Sequence, residues 1–250
     1  MLSKNLQKNV RALSLKKIRD ERLLFIAEGA KLVGDLMGFF ECEMLFATEK
    51  CSLALDAYSV QHITDDEMRR ISQLTTPTSV LAVFRQPQRT LDLQLLKSEL
   101  VLVLDAVQNP GNLGTILRIA DWFGIRHVVC SPDSADVFNP KTVQATMGAL
   151  ARVQVHYTDL PAFLTAYRSL DLPVYGTFLD GTDIYRHDLC SCGAILLGNE
   201  GSGVSPSVAA FATERLCIPS FPPGVPTSES LNVAVAAAVV CAEFRRRALM

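Results

Sequence analysis

LVLVLDAV, residues 100–107, is the stretch on which the fold turns. It is apolar almost without interruption, the pattern of a strand buried on both faces rather than of one lying half in solvent. Downstream the signal recurs between helical patterns. LGTILRIADWFG reads as helix, RHVVC as strand, NPKTVQATMGAL as a helix opened by Asn139 and Pro140, and VQVHY as strand. Proline suits the first helical position because the N–H it lacks would be unpaired there anyway. Helix LPAFLTAYRSL, capped by Asp159, is followed by strands PVYGTFL and GAILLGNE, helix SPSVAAFATE, strand RLCIP and a terminal helix from about Glu229 to Arg247. This alternation predicts an α/β fold with a parallel sheet over residues 98–250.

Upstream, a basic helical start leads into LLFIAEG as strand and turn, AKLVGDLMGFF as helix and ECEMLFAT as strand. Strand SVQHIT, helix DDEMRRISQL and strand SVLAVF follow, so residues 1–90 are expected to form a smaller α/β domain. Thr64, with Glu67 three residues later, is a capping box that fixes one helix start. The polar, proline-bearing segment 85–99 reads as an interdomain linker.

With 250 residues, of which 49% are hydrophobic, the chain can bury substantial cores. No apolar run approaches the roughly 20 residues that span a bilayer, and the N-terminus lacks the apolar region of a signal peptide. No membrane association and a cytoplasmic location are therefore expected. The seven cysteines are scattered, and Cys190 and Cys192, the closest pair, have neither metal-finger nor thioredoxin spacing. They read as reduced thiols. The histidines form no metal-ligand pattern.

The net charge of −2 excludes indiscriminate polyanion binding, yet Lys4, Lys8, Arg11, Lys16, Lys17, Arg19 and Arg22 crowd the start of the chain against Asp20 and Glu21. Two readings stand: a solvated helix face, or a basic stripe that contacts RNA. Arg245, Arg246 and Arg247 fit a helix C-terminus complementing its own dipole.

Ligands of open parallel sheets bind beyond the carboxyl ends of the strands, so three loops carry the functional information: 109–118, 198–203 and 218–236. In the first, Asn109, Pro110 and Gly111 suit a turn and Asn112 suits a helix cap. Arg118 either snorkels over the surface or presents its planar fork to a phosphate or hydroxyl. In the second, Gly198, Gly201 and Gly203 are spaced G-x-x-G-x-G, the wrong order for a dinucleotide fingerprint, and no P-loop occurs anywhere. Glu200 is a carboxylate presented from a tight turn or one that bonds backbone N–H groups. In the third, Ser230 and Asn232 flank Leu231 where an Ala- and Val-rich helix begins. A cap explains Ser230, but not the proline- and glycine-dense approach from Ile218.

Together, N-P-x-N-x-G-x-x-x-R at 109–118, L-G-N-E-G-x-G at 197–203 and I-P followed by S-L-N-V-A-V-A at 218–236 resemble, in order, the three motifs of the SpoU (TrmH-like) family of RNA ribose methyltransferases in the SPOUT superfamily. LLFIAEGAKLV and TPTSVLAVF resemble that family's L30e-like substrate-binding domain. The resemblance implies a deep trefoil knot, which breaks the usual rule that connections do not thread. It implies S-adenosylmethionine held by Gly198, Ile218 and Leu231, with Asn199 and Gly203 as shape-giving neighbours. It also implies a homodimer in which Asn112 and Arg118 serve a donor held by the partner chain. The loop 220–229 is longer than the family pattern, and Gly224 is the candidate for its glycine.

The implied activity is S-adenosylmethionine-dependent transfer of a methyl group to the 2′-hydroxyl of a ribose in structured RNA, ribosomal RNA ahead of transfer RNA, with Arg118, Asn112, Glu200, Ser230 and Asn232 as the catalytic set. The resemblance implies Arg118 as the base that takes the hydroxyl proton; because a guanidinium essentially never deprotonates in proteins, a second role stands beside it, in which Arg118 clamps a phosphate and orients the hydroxyl. Two rivals are an RNA-binding protein that keeps the knotted fold without catalysis and another kind of nucleotide-using α/β enzyme. The intact polar set counts against the first, and the missing phosphate motifs against the second.

Overall fold

The computed structural model describes residues 1–55 and 57–248. In chain order its elements are α1 (Lys4–Ala12), α2 (Lys16–Arg22), β1 (Leu24–Glu28), α3 (Ala30–Leu36), β2 (Cys42–Ala47), β3 (Val60–His62), α4 (Asp65–Ile71) and β4 (Val80–Arg85). Then come β5 (Leu100–Leu104), α5 (Pro110–Trp122), β6 (His127–Cys130), α6 (Pro140–Thr146), β7 (Gln154–Tyr157), α7 (Leu160–Tyr167), β8 (Val174–Asp183), β9 (Gly193–Leu197), α8 (Pro206–Ala209), β10 (Glu214–Cys217) and α9 (Val233–Ala248). The chain divides into two compact units. One joins Met1–Gln88 to Asp136–Ala151, and the other joins Arg89–Ala135 to the chain from Arg152 onward. The continuous spans 1–90 and 98–250 thus differ from the units by the exchange of Asp136–Ala151.

The first unit is built on a four-stranded sheet of order β1-β4-β2-β3, antiparallel except for the β2–β3 pair. Val10 and Leu13 pack with Ile26, Phe46, Ile71 and Leu81 in its core. The capping box forms as expected: Thr64 Oγ1 accepts from Glu67 N, and Glu67 Oε2 accepts from Thr64 N at 3.0 Å. Phe138, just before α6, packs at a tilt against Phe25 with ring centroids 4.8 Å apart, which binds the exchanged segment into this core. α6 stops at Thr146, earlier than its sequence pattern suggests. Met147 turns into the left-handed region, and a Cβ on Gly148 would lie 2.4 Å from Asp35 Oδ2.

Arg19 requires a correction. It is only 1% exposed, its guanidinium donates to the Leu13 and Ser14 carbonyls, and it pairs with Asp136 at 2.5 Å. It braces the unit and leaves the expected RNA stripe. Lys4, Lys8, Arg11, Lys16, Lys17 and Arg22 stay exposed.

The second unit holds a six-stranded sheet, order β10-β8-β9-β5-β6-β7, with every pair parallel. β5 and β9 at its centre are buried throughout, which accounts for their unbroken apolar sequence. Segment 85–99 is more than a linker: Asp92 caps a short 3-10 helix, Leu93–Leu96, whose Leu96 is buried among Val101, Leu164 and Leu196. α8 is a single turn rather than the longer helix expected, and α9 begins at Val233 rather than near Glu229.

Candidate functional site

Three local devices shape the carboxyl end of this sheet. The first is a break in the β8–β10 ladder: Tyr175 and Gly176 face Glu214 and Arg215, but Thr182 and Asp183 face the next two residues, Leu216 and Cys217. Residues 177–181 bulge out between the two registers and turn Thr177, Phe178, Leu179 and Asp180 toward a cavity. The second is the turn after β9. Asn199 and Gly203 exchange backbone hydrogen bonds of 3.0 and 2.9 Å, and Asn199 Oδ1 accepts from Gly201 N and Ser202 N. A Cβ on Gly198 would stand 2.1 Å from the carbonyl carbon of Gly203, so only glycine lets this turn close.

The third device ends β5. Ala106 sits at φ +55, held there by Ser131 Oγ, which accepts its N–H, and by Asn199 Nδ2, which donates to its carbonyl at 2.9 Å. Left-handed backbone at a non-glycine residue persists only where its neighbours hold it, and one of them here, Asn199, lines the cavity. Asp105 before it is buried and accepts from Ser205 N at 2.7 Å, fixing the start of α8.

These devices enclose a cavity of about 660 Å³. Gly198, Asn199, Glu200, Gly203, Ile218, Ser230 and Leu231 all line it. Asp180, Glu200 and Glu229 supply its charge, and among the described residues no lysine, arginine or histidine lines it. Arg215 hydrogen-bonds Asp180, which lowers the pKa of that carboxyl, and stacks 3.6 Å above the Phe178 ring. Burial, and then Asp183 and Asp180, raise the Cys217 thiol and keep it protonated.

Asn112 Nδ2 donates to Glu200 Oε1 at 2.5 Å, and Asn232 Nδ2 donates to Asn112 Oδ1 at 3.1 Å. Asn112 is thus tied to Glu200 of its own chain, where the resemblance had placed it beside a donor in the partner. It does not cap α5: Asn109 does, its Oδ1 accepting from Gly111 N and Asn112 N. Asn232 takes the cap of α9, accepting from Ala234 N and Val235 N, so Ser230 stays in the loop with Leu231. Gly224 has φ +77 in an exposed stretch and does not reach the cavity.

Arg118 is the set member that the fold does not bring in. It is exposed on α5, does not line the cavity, and among the described residues it forms no hydrogen bond or ion pair. Trp122, one turn on, is 85% exposed. Asp105, Asp180, Glu229 and Ala106 are site residues that sequence reasoning missed. Only Asp105 and Ala106 carried a local signal, standing at the end of the apolar strand.

The family model for the SpoU rRNA Methylase family matches residues 99–242, and that for the MRM3-like substrate binding domain matches residues 5–82. The 23S rRNA (guanosine(2553)-2′-O)-methyltransferase RlmP of Bacillus subtilis is 31% identical, over 95% of each chain. A structure assigned to the TrmH family of RNA methyltransferases, from Porphyromonas gingivalis, superposes with a TM-score of 0.88 at 45% identity over 99% of both chains. The AdoMet-bound rRNA methyltransferase of Sinorhizobium meliloti superposes with a TM-score of 0.86 at 29% identity, over 100% of this chain and 97% of its own. With the second and third motifs lining one cavity and the family model matched over residues 99–242, from just before β5 into α9, the chain belongs to the SpoU rRNA methylase family.

Proposed function

We propose that the protein transfers a methyl group from S-adenosylmethionine to the 2′-hydroxyl of a ribose in structured RNA, ribosomal RNA ahead of transfer RNA. The observation that carries this reading is the cavity beyond β9: its size suits a cofactor, the charged residues that line it are Asp180, Glu200 and Glu229, and Glu200 is held by Asn112, itself bonded to Asn232. A phosphate-bearing ligand would meet carboxylates there, whereas a sulfonium or ammonium cation meets complementary charge. The donor-bound relative and the rRNA 2′-O-methyltransferase relative support the same choice and weigh against an RNA-binding protein without catalysis.

S-adenosylmethionine supplies an electrophilic methyl group on a sulfonium centre. The residues present fit it. Gly198, Asn199 and Gly203 offer the backbone of a locked turn, Ile218 and Leu231 offer apolar walls, and Glu200 offers negative charge held in place by Asn112. The remaining requirement is alignment of a weak nucleophile with the electrophile. Arg118 meets it by gripping a phosphate of the bound RNA in its fork, so that the ribose hydroxyl faces a neighbouring donor cavity. An Arg118 remote from its own cavity makes sense if two chains complete each other's sites, and we infer a homodimer. α9 carries an exposed Val235 and Ala242 beside half-buried Ala238 and Val239, an apolar strip that a second copy would cover. We also infer the trefoil knot of this family in the segment between β8 and α9, and a cytoplasmic location.

RNA affinity is assigned to the exposed Lys4, just before the region that matches the substrate-binding model, and Lys8, Arg11, Lys16, Lys17 and Arg22 within it. The test is methyl transfer from labelled donor to a ribosomal RNA fragment and to the same fragment with a 2′-deoxy nucleotide at the modified position. The deoxy RNA is expected to bind equally and accept no label. Label on the deoxy RNA would make a base the acceptor and overturn the reading.

A further inference from the structure

The last residues of the loop between β8 and β9, Cys190, Ser191 and Cys192, do not line the cavity, and they hold two thiols in contact. Cys190 Sγ and Cys192 Sγ are 3.3 Å apart, the first exposed and the second half-buried. Three features fix this geometry. Cys190 N donates to the phenol oxygen of Tyr175 at 2.9 Å. The chain bends at Ser191 and Cys192. Gly193 then enters β9 at φ +131, its N–H bonded to the Glu99 carbonyl at 3.1 Å. A Cβ on Gly193 would lie 2.8 Å from the Pro173 carbonyl oxygen, so the bend depends on glycine.

We propose that Cys190 and Cys192 form a redox-active dithiol that exchanges with low-molecular-weight disulfides, Cys190 attacking and Cys192 resolving. The Cys192 backbone, the Cys192 thiol 3.3 Å away and the Ser191 backbone lower the Cys190 pKa, while burial and the neighbouring sulfur raise that of Cys192. The exposed sulfur is therefore the better thiolate. In the first step Cys190 thiolate attacks one sulfur of a small disulfide, forming a mixed disulfide and expelling one thiolate. In the second, Cys192, having lost its proton to solvent, attacks Cys190 Sγ and expels the other thiolate. In sum two protein thiols are oxidised to one internal disulfide and one small disulfide is reduced to two thiols.

The ring spans residues only two apart, so its closure removes little chain entropy and the bond is an exchangeable one rather than a structural staple. Four of the other cysteines differ. Burial raises the pKa of Cys130, Cys42 and Cys217, and pushes Cys241 up to about 12.

The test uses full-length reduced protein and glutathione disulfide, with peptide mass spectrometry over time. The wild type is expected to lose two hydrogen atoms in the peptide bearing Cys190 and Cys192. Cys192→Ser should instead accumulate glutathione on Cys190, at least about tenfold faster than Cys190→Ser acquires it on Cys192. Circular dichroism identical to wild type ensures that both variants are folded. Stable glutathione on wild-type Cys190 with no internal bond, equal rates in the two variants, or first modification at Cys42, Cys51 or Cys217 would overturn the assignment.

Discussion

Asn232 Nδ2 donates to Asn112 Oδ1 across 120 positions of sequence, while Asn232 Oδ1 accepts the first free N–H groups of α9. One side chain thereby ties the start of α9 to the start of α5, and Asn112 passes the link on to Glu200. Asn112→Leu should break it at the centre, leaving the Glu200 carboxylate without its donor and Asn232 with a spare one. Turnover is expected to fall about 10²-fold, the scale for losing positioning help. Glu200→Gln keeps an acceptor for Asn112 but removes the charge, so its main effect should be weaker donor binding, read by calorimetry. A Glu200→Gln protein with unchanged donor affinity would show that the acidic lining plays no part in selecting a cation.

Two glycines of one turn should respond oppositely to the same change. Gly198→Ala drives a methyl group into the Gly203 backbone, whereas at Gly201 an added Cβ meets only Asn199 Oδ1 at 3.5 Å. Gly198→Ala should abolish measurable donor binding and lower the melting temperature, and Gly201→Ala should do neither. Equal behaviour of the two would mean that the close approach of Gly198 and Gly203 is not what shapes the cavity.

Among the basic residues at the start of the chain, Arg19 is set apart by burial. Asp136→Ala leaves its guanidinium without a carboxylate in the interior, and breaking such a pair costs about 3–5 kcal/mol, measurable by urea unfolding. Lys8→Ala, at an exposed site, should leave stability unchanged and reduce the slope of log affinity for RNA against log salt by about 1. No change in slope on replacing Lys4, Lys8 and Arg11 together would reduce the stripe to a solvated helix face.

His127 and His156 supply a pH dependence at the opposite end of the sheet from the cavity. Their rings stack with Nδ1 of His127 3.4 Å from Nε2 of His156, and burial lowers both pKa values, His156 to about 4. Between that value and the ordinary one near 6.5, the unfolded chain binds more protons than the folded one. Stability should therefore fall as pH drops through this window. His156→Gln should flatten the slope in denaturant titrations at pH 7, 6, 5 and 4; an unchanged slope would assign the acid sensitivity to other groups.

Where local chemistry decides, the chain was readable. The unbroken apolar runs of β5 and β9 announced central parallel strands, Asn139 with Pro140 marked α6, and Thr64 with Glu67 marked α4. The second and third motif loops did lead to the residues of one cavity, and the first reaches it only through the Asn112–Glu200 hydrogen bond. What stayed hidden depends on partners far away in sequence. The bulge of residues 177–181 exists because β8 changes register against β10, and nothing in PVYGTFL announces it. Arg19 looked like its exposed neighbours until Asp136 stood beside it, and Asn232, not Ser230, proved to be the cap once it was also held by Asn112.

The placement of Arg118 makes the strongest demand on the proposed homodimer. Leu231→Glu puts a charge on the cavity wall and should block donor binding, while Arg118→Ala leaves the cavity intact and removes the fork. Each homodimer alone should be inactive, with Arg118→Ala retaining donor affinity. Mixed and allowed to exchange subunits, the two proteins form hybrid dimers in which one cavity is sound and faces an Arg118 from the other chain. Half of the dimers are hybrids and one site in each is whole, so activity should return to about a quarter of wild type. A site built within one chain is broken in both subunits of every hybrid. Hybrid dimers verified by mass spectrometry yet lacking methyl transfer would therefore return Arg118 to its own chain's cavity and remove the case for shared sites.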